Sequence, residues 1–145
     1  MSVPAEEAIR QRYPDAIEDF RDAAGMPLLT VSGDSILTVC RQAKEELGFD
    51  FFDCLSGVDQ KDRFEVVYHL WSTTRNESLL LKVILDHDEP VVDSATPVWV
   101  GADWHEREAY DLYGILFAGH PDLRRILLPD DFEGYPMRKD YLETD

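Results

Sequence analysis

The sequence predicts an α+β fold: a two-layer domain with helices packed on one face of a mixed sheet, followed by an extended, turn-rich C-terminal segment. Three observations carry that prediction. Apolar residues recur at helical spacing over residues 36–47, while residues 64–71 and 79–85 are β-branched, aromatic or aliphatic around the turn Arg75-Asn76-Glu77. Beyond residue 119, Gly and Pro interrupt the chain too often for regular structure.

Pro4 suits a first helical turn, so residues 5–12 read as a short helix that Tyr13-Pro14 stops. Residues 17–20 and 28–31 are candidate strands joined by the loop around Gly25-Met26-Pro27. Gly33-Asp34-Ser35 offers side-chain oxygens to a helix start. Ile36, Val39, Cys40, Ala43 and Leu47 then form one apolar stripe, and Gly48 permits a left-handed exit. Residues 51–55 read as a short buried strand, and the pair 64–71 and 79–85 as a long hairpin. Asp103 is placed to cap a helix over residues 104–113, with Glu106 in the reciprocal capping position and Gly114 as the exit. In the final segment Leu123, Ile126, Leu127, Leu128, Phe132 and Tyr135 require something to pack against. A terminus of this composition is expected to be mobile alone and to order against a partner.

With 145 residues, 44% of them hydrophobic, the chain can bury the core of one domain. We divide it into an α+β core over 1–121 and an extended partner-binding segment over 122–145. A formal net charge of −16 argues against nucleic acid and anionic lipid as direct partners, since both reward Lys/Arg patches. The acidity serves solubility or attraction to a basic partner. No run approaches the roughly 18 apolar residues of a membrane span, and Lys82 interrupts the most apolar stretch. No positively charged start precedes an apolar run, so neither a span nor a secretory leader is expected.

The usual catalytic and ligand-binding patterns are missing. Cys40 and Cys54 lack CxxC spacing and are expected to be structural thiols in a reducing compartment. His69, His87, His105 and His120 share no ligand spacing. His105-Glu106 begins a zincin-like pattern, but position 109 is Ala where the second imidazole would stand. The sequence contains no GxSxG, GxGxxG or GxxxxGK[ST] pattern. The acidic groups Asp86-Asp88-Glu89 and Asp130-Asp131-Glu133 lack the rhythm of a calcium loop. A freestanding metal hydrolase using His105, Glu106 and Glu108 is therefore the weakest of the possible functional classes.

Opposite charges instead alternate beside aromatic and aliphatic anchors late in the chain: Glu106-Arg107-Glu108, Asp111, Arg124-Arg125 and Arg138-Lys139-Asp140. Arginine forks among aromatic anchors are characteristic of interface cores. Arg107 and Asp111 stand four apart on the expected helix. Glu106, Glu108, Arg124 and Arg125 are expected to form a buried or half-buried network joining that helix to the following chain.

The stretch from Trp104-His105-Glu106-Arg107-Glu108-Ala109-Tyr110-Asp111-Leu112-Tyr113-Gly114-Ile115 through Gly119-His120-Pro121-Asp122-Leu123-Arg124-Arg125-Ile126-Leu127 resembles the signature of the C-subunit family of complex I. It continues as Leu128-Pro129-Asp130-Asp131-Phe132-Glu133-Gly134-Tyr135-Pro136-Met137-Arg138-Lys139-Asp140-Tyr141, and the upstream order of elements is also similar to that family's α+β domain. The resemblance implies a non-catalytic subunit in the peripheral arm of a proton-translocating NADH:quinone oxidoreductase. Such a protein would brace the large D-subunit, which helps form the quinone site, and attach to the cytoplasmic face of the cell membrane through its partners. NADH, FMN, iron–sulfur clusters and quinone would belong to those partners, leaving no cofactor in this chain. Similar subunits occur in ferredoxin- or deazaflavin-linked quinone oxidoreductases and in membrane-bound hydrogenases, so the electron donor stays open. Glu106, Arg107, Glu108, Asp111, His120, Arg124, Arg125, Arg138 and Lys139 are the expected partner-binding or structural residues, and none is expected to be catalytic or metal-ligating.

Overall fold

Pro4 has no N–H to leave unpaired, and helix α1 (Ala5–Arg12) follows it directly. Glu6 and Glu7 occupy the first turn and Arg10 and Arg12 the last, in the sense that complements the helix dipole. The computed structural model describes residues 3–141. Strands β1 (Ile17–Ala23) and β2 (Met26–Val31) form an antiparallel hairpin whose turn places Ala24 and Gly25 at positive φ. A 3-10 turn at Gly33–Ser35 leads into α2 (Ile36–Glu45), which buries Ile36, Val39, Cys40 and Ala43. Gly48, at φ 80°, turns the chain out as the sequence anticipates.

Strands β3 (Phe51–Asp59), β4 (Arg63–Ser72) and β5 (Glu77–Asp86) run as an antiparallel meander. The sheet order is β1-β2-β5-β4-β3, and the β2–β5 pairing is parallel, so the sheet is mixed. Residues on one face alternate into the core: Leu29 and Val31, then Leu79, Leu81 and Val83, then Phe64, Val66, Tyr68 and Leu70. Cross-strand partners such as Tyr68 and Leu81, or Val66 and Val83, put these residues on the same side. Ile9, Val39, Cys40 and Ala109 from the helices pack against them. The expected α+β architecture is therefore present.

Two further strands, β6 (Val91–Asp93) and β7 (Leu116–Ala118), pair in parallel, with α3 (Ala102–Tyr113) as the crossover between them. Neither three-residue strand is legible in the sequence, because such short pieces show no measurable periodicity. Two expectations need correction. The segment expected as a short buried strand over 51–55 is the first half of an edge strand, with Phe51 53% exposed and a bulge between Phe52 and Cys54. Helix α3 begins before the expected cap: Gly101 is its N-cap and no side chain caps it. Backbone turns through Val98, Trp99 and Ala102 supply the initiating hydrogen bonds, leaving Asp103 inside the first turn.

Candidate functional site

Asp111 lies on α3 with its carboxylate fully buried. Oδ2 accepts the backbone N–H groups of Ile126, Leu127 and Leu128 at 3.1, 2.7 and 2.9 Å. Oδ1 accepts Arg125 Nη1 at 2.8 Å. Burial pushes this carboxyl's pKa upward, but the three amides and the guanidinium outweigh it and hold the pKa below the usual aspartate value. The same arginine donates to the Asp111 carbonyl at 3.0 Å and through Nη2 to the Gly134 carbonyl at 2.7 Å. Its guanidinium also lies near the Phe132 and Tyr135 rings. One carboxylate thus organises three consecutive amides, and one fork spans α3 and the loop beyond.

A second carboxylate holds the same segment farther along. Asp59, at the end of β3, is 4% exposed. Its Oδ2 accepts Lys139 N–H at 2.7 Å, while Oδ1 accepts Lys61 N–H at 2.8 Å and faces His87 Nε2 at 3.1 Å. Burial again pushes the pKa up, and the hydrogen bonds from Lys139, Lys61 and His87 bring it below the ordinary value. His87 stacks on Phe64 with 4.3 Å between centroids, and the Arg138 guanidinium lies 5.1 Å from the same ring. Between the two clamps Met137 N–H donates to the Leu112 carbonyl at 3.0 Å. Tyr135 lies against Gly114, where an added Cβ would come within 2.8 Å of its ring.

The segment expected to order only against a partner is therefore seated on the domain by its own contacts, up to Tyr141; residues 142–145 lie outside the described chain. The expected network of Glu106, Glu108, Arg124 and Arg125 does not form. Arg125 pairs with Asp111, whereas Arg124 is 65% exposed and pairs locally with Asp122. Glu108 lines a groove with Gly57 and Met137. Arg107 does not pair with Asp111; it donates to the Arg124 and Arg125 carbonyls at 3.3 and 3.4 Å. Arg138 Nε donates to Asp140 at 3.1 Å.

Glu106 faces elsewhere. Fully buried, it accepts the Ser94 hydroxyl and the Ala95 N–H, both at 2.6 Å, instead of closing a capping box with Asp103. Burial dominates its surroundings and raises its pKa. His120, its side chain fully buried, brings Nε2 to 2.9 Å from Asp103 Oδ1. Asp59 and His87 were missed by sequence reasoning. The available signal was phase: Asp59 alternates with Leu55 and Gly57 in core-facing positions, where a carboxylate must find partners.

One group of possible metal ligands also comes together among the described residues, Asp53, Cys54 and His69 on β3 and β4. Chain spacing cannot reveal it, because these residues meet across strands.

The family description "Respiratory-chain NADH dehydrogenase, 30 Kd subunit" matches residues 29–145. The chain belongs to this family. It is 46% identical over 139 residues to the NADH-quinone oxidoreductase C-subunit of Chloroherpeton thalassium, covering 92% of this chain but only 58% of that protein. With the corresponding C-subunit of Moorella thermoacetica it shares 43% identity over 140 residues, 94% of this chain and 93% of the other. Among solved structures, a trypsin-resistant fragment of Nqo5 is similar with a TM-score of 0.71 and 27% identity, over 81% of this chain and 98% of that one. A chain of the membrane-bound sulfane sulfur reductase, an archaeal respiratory membrane complex, is similar with a TM-score of 0.78 and 25% identity, over 94% and 84%. The resemblance to the C-subunit family of complex I is thus borne out. No helix among the described residues is long and apolar enough to cross a membrane.

Proposed function

We propose that this chain is a non-catalytic assembly subunit of the peripheral arm of a proton-translocating NADH:quinone oxidoreductase. In this reading its clamped terminal segment and the adjoining face of α3 brace the large D-subunit, which helps form the quinone site. The carrying observation is that the clamps fix the backbone while leaving large side chains outside it. Trp104, Leu127 and Met137 are each more than half exposed, and Arg107 lies 6.0 Å from the Trp104 ring while gripping two carbonyls of the segment. Aromatic, aliphatic and arginine anchors on a fixed backbone favour binding, because little conformational entropy is lost on association. NADH, FMN, iron–sulfur clusters and quinone reside on other subunits, and this chain supplies no redox centre. It lies on the cytoplasmic face of the membrane, attached through protein partners and not through lipid.

Co-purification tests this reading. With the complex captured through a tag on this chain, Trp104→Ala and Leu127→Ala should each lower recovery of the quinone-site protein severalfold. The urea midpoint of the free variant should stay that of the parent. Undiminished recovery in the double variant overturns the proposal. A second reading is the equivalent subunit of a ferredoxin- or deazaflavin-linked quinone oxidoreductase or of a membrane-bound hydrogenase. The likeness to a chain of the archaeal sulfane sulfur reductase supports keeping it, because that respiratory membrane complex is named for a different reaction. Captured complex that oxidises reduced ferredoxin but not NADH would select it.

A further inference from the structure

We propose that Asp53, Cys54 and His69 form a site for a single zinc-class divalent cation on the sheet, sharing no residue with the Asp111 and Asp59 clamps and lying toward the other end of β3 from Asp59. Cys54 and His69 are direct partners across the β3–β4 ladder. In an antiparallel pair such residues have Cβ atoms about 4.5–5.5 Å apart and share one face. Strict alternation would send Asp53 to the opposite face. The bulge between Phe52 and Cys54 breaks the alternation and brings its carboxylate to the histidine, with Oδ2 2.9 Å from Nδ1. The sulfur, nitrogen and oxygen donors all lie within 4.8 Å of one another. Tetrahedral zinc, with bonds of about 2.0–2.3 Å, separates its ligand atoms by about 3.3–3.8 Å. With one pair at 2.9 Å and no donor more than 4.8 Å from another, the three atoms lie near that spacing, and modest side-chain rotation would complete the site.

The surroundings of His69 support the same assignment. Its Nε2 lies 3.0 Å from Ser78 Oγ on β5, which orients the ring and directs Nδ1 toward the carboxylate and thiol. An outer hydrogen bond of this kind fixes the tautomer of ligating histidines. Thiolate, imidazole and carboxylate together favour zinc over magnesium or calcium, which take oxygen donors. All three residues are partly solvent-accessible, so water can occupy the fourth position. On binding, the Cys54 thiol gives its proton to solvent and the sulfur becomes a thiolate ligand. Bound this way, the ion ties edge strand β3 to β4 across its bulge while keeping one open position. The bland alternative is a His69–Asp53 ion pair that binds nothing.

The full-length chain, purified metal-free and kept reduced, is titrated with Zn2+ against a chromophoric chelator and separately with Co2+. One equivalent of Zn2+ should bind, and Co2+ should produce the near-ultraviolet band of a thiolate–cobalt bond. Cys54→Ser and His69→Gln should each abolish that band and weaken Zn2+ binding at least tenfold, with circular dichroism unchanged. No stoichiometric uptake by the folded parent overturns the proposal, as does uptake unaffected by both substitutions. Either outcome leaves the assembly reading untouched, since recovery of the quinone-site protein measures that separately. Should one variant fail to fold, Asp53→Asn, at an exposed position, provides the decisive comparison.

Discussion

Asp111 and Arg125 are 14 positions apart, yet the guanidinium meets the carboxylate at 2.8 Å with side-chain exposures of 0% for the aspartate and 10% for the arginine. Breaking such a buried pair from one side costs about 3–5 kcal/mol, because the remaining charge has no partner. Asp111→Ala should therefore lower the unfolding free energy in urea by about that amount. It should also accelerate hydrogen exchange at the amides of Ile126, Leu127 and Leu128, which the parent protects. Arg125→Lys should lose a smaller part, since an ammonium cannot span Asp111 and the Gly134 carbonyl as a fork does.

Asp111 and Asp59 both hold their pKa values below the ordinary aspartate value of about 3.9. A depressed folded-state pKa means that the stabilisation is fully present above the unfolded value and is lost as pH falls through the folded one. Urea midpoints should accordingly stay level through weakly acid pH and decline below about pH 4. In the Asp59→Asn/Asp111→Asn double variant stability starts lower, and the acid decline should be shallower. An equal decline in both proteins would assign it to other carboxylates.

Glu106 should show the opposite sign. Its raised pKa means that the folded state keeps a proton the unfolded chain has released. Its penalty is absent below the unfolded value of about 4.3 and grows as pH rises through the higher folded value. Glu106→Gln retains an acceptor for the Ala95 N–H and should remove that pH-dependent penalty, so its stability relative to the parent should rise across the window. Glu106→Ala leaves the Ala95 amide unpaired, a loss of about 1–3 kcal/mol that does not itself depend on pH and that removal of the same penalty partly offsets as pH rises.

Gly114 combines a left-handed backbone, φ 79°, with the Tyr135 ring against its α-carbon. Gly114→Ala should destabilise the chain by more than about 1 kcal/mol, since the substitution is incompatible with the native φ. Displacement of Tyr135 should also change tyrosine fluorescence in the folded state. A cost within about 0.5 kcal/mol, the usual range of surface changes, would show that the turn relaxes freely.

Periodicity and turn chemistry made most of the fold legible. The apolar stripe from Ile36 to Ala43, the Gly48 and Gly114 exits and the long hairpin around Asn76 follow from local constraints that each segment carries by itself. The Trp104–Tyr141 residues likewise identified the family and directed attention to the junction of α3 with the terminal segment. Which carboxylate would meet which arginine was not available in the same way. Glu106 and Asp111 are five residues apart, about 140° round a helix, so they face different neighbours. Only the packing of α3 against β3 decides that Glu106 meets the Ser94 loop and Asp111 the returning chain. Asp59 with Lys139, and Cys54 with His69, are likewise set by strand register and the path of the chain. The sequence determined the elements and the family, because those rest on local pattern; tertiary structure decided the partnerships, because a charge is satisfied by whatever the fold brings within hydrogen-bonding distance.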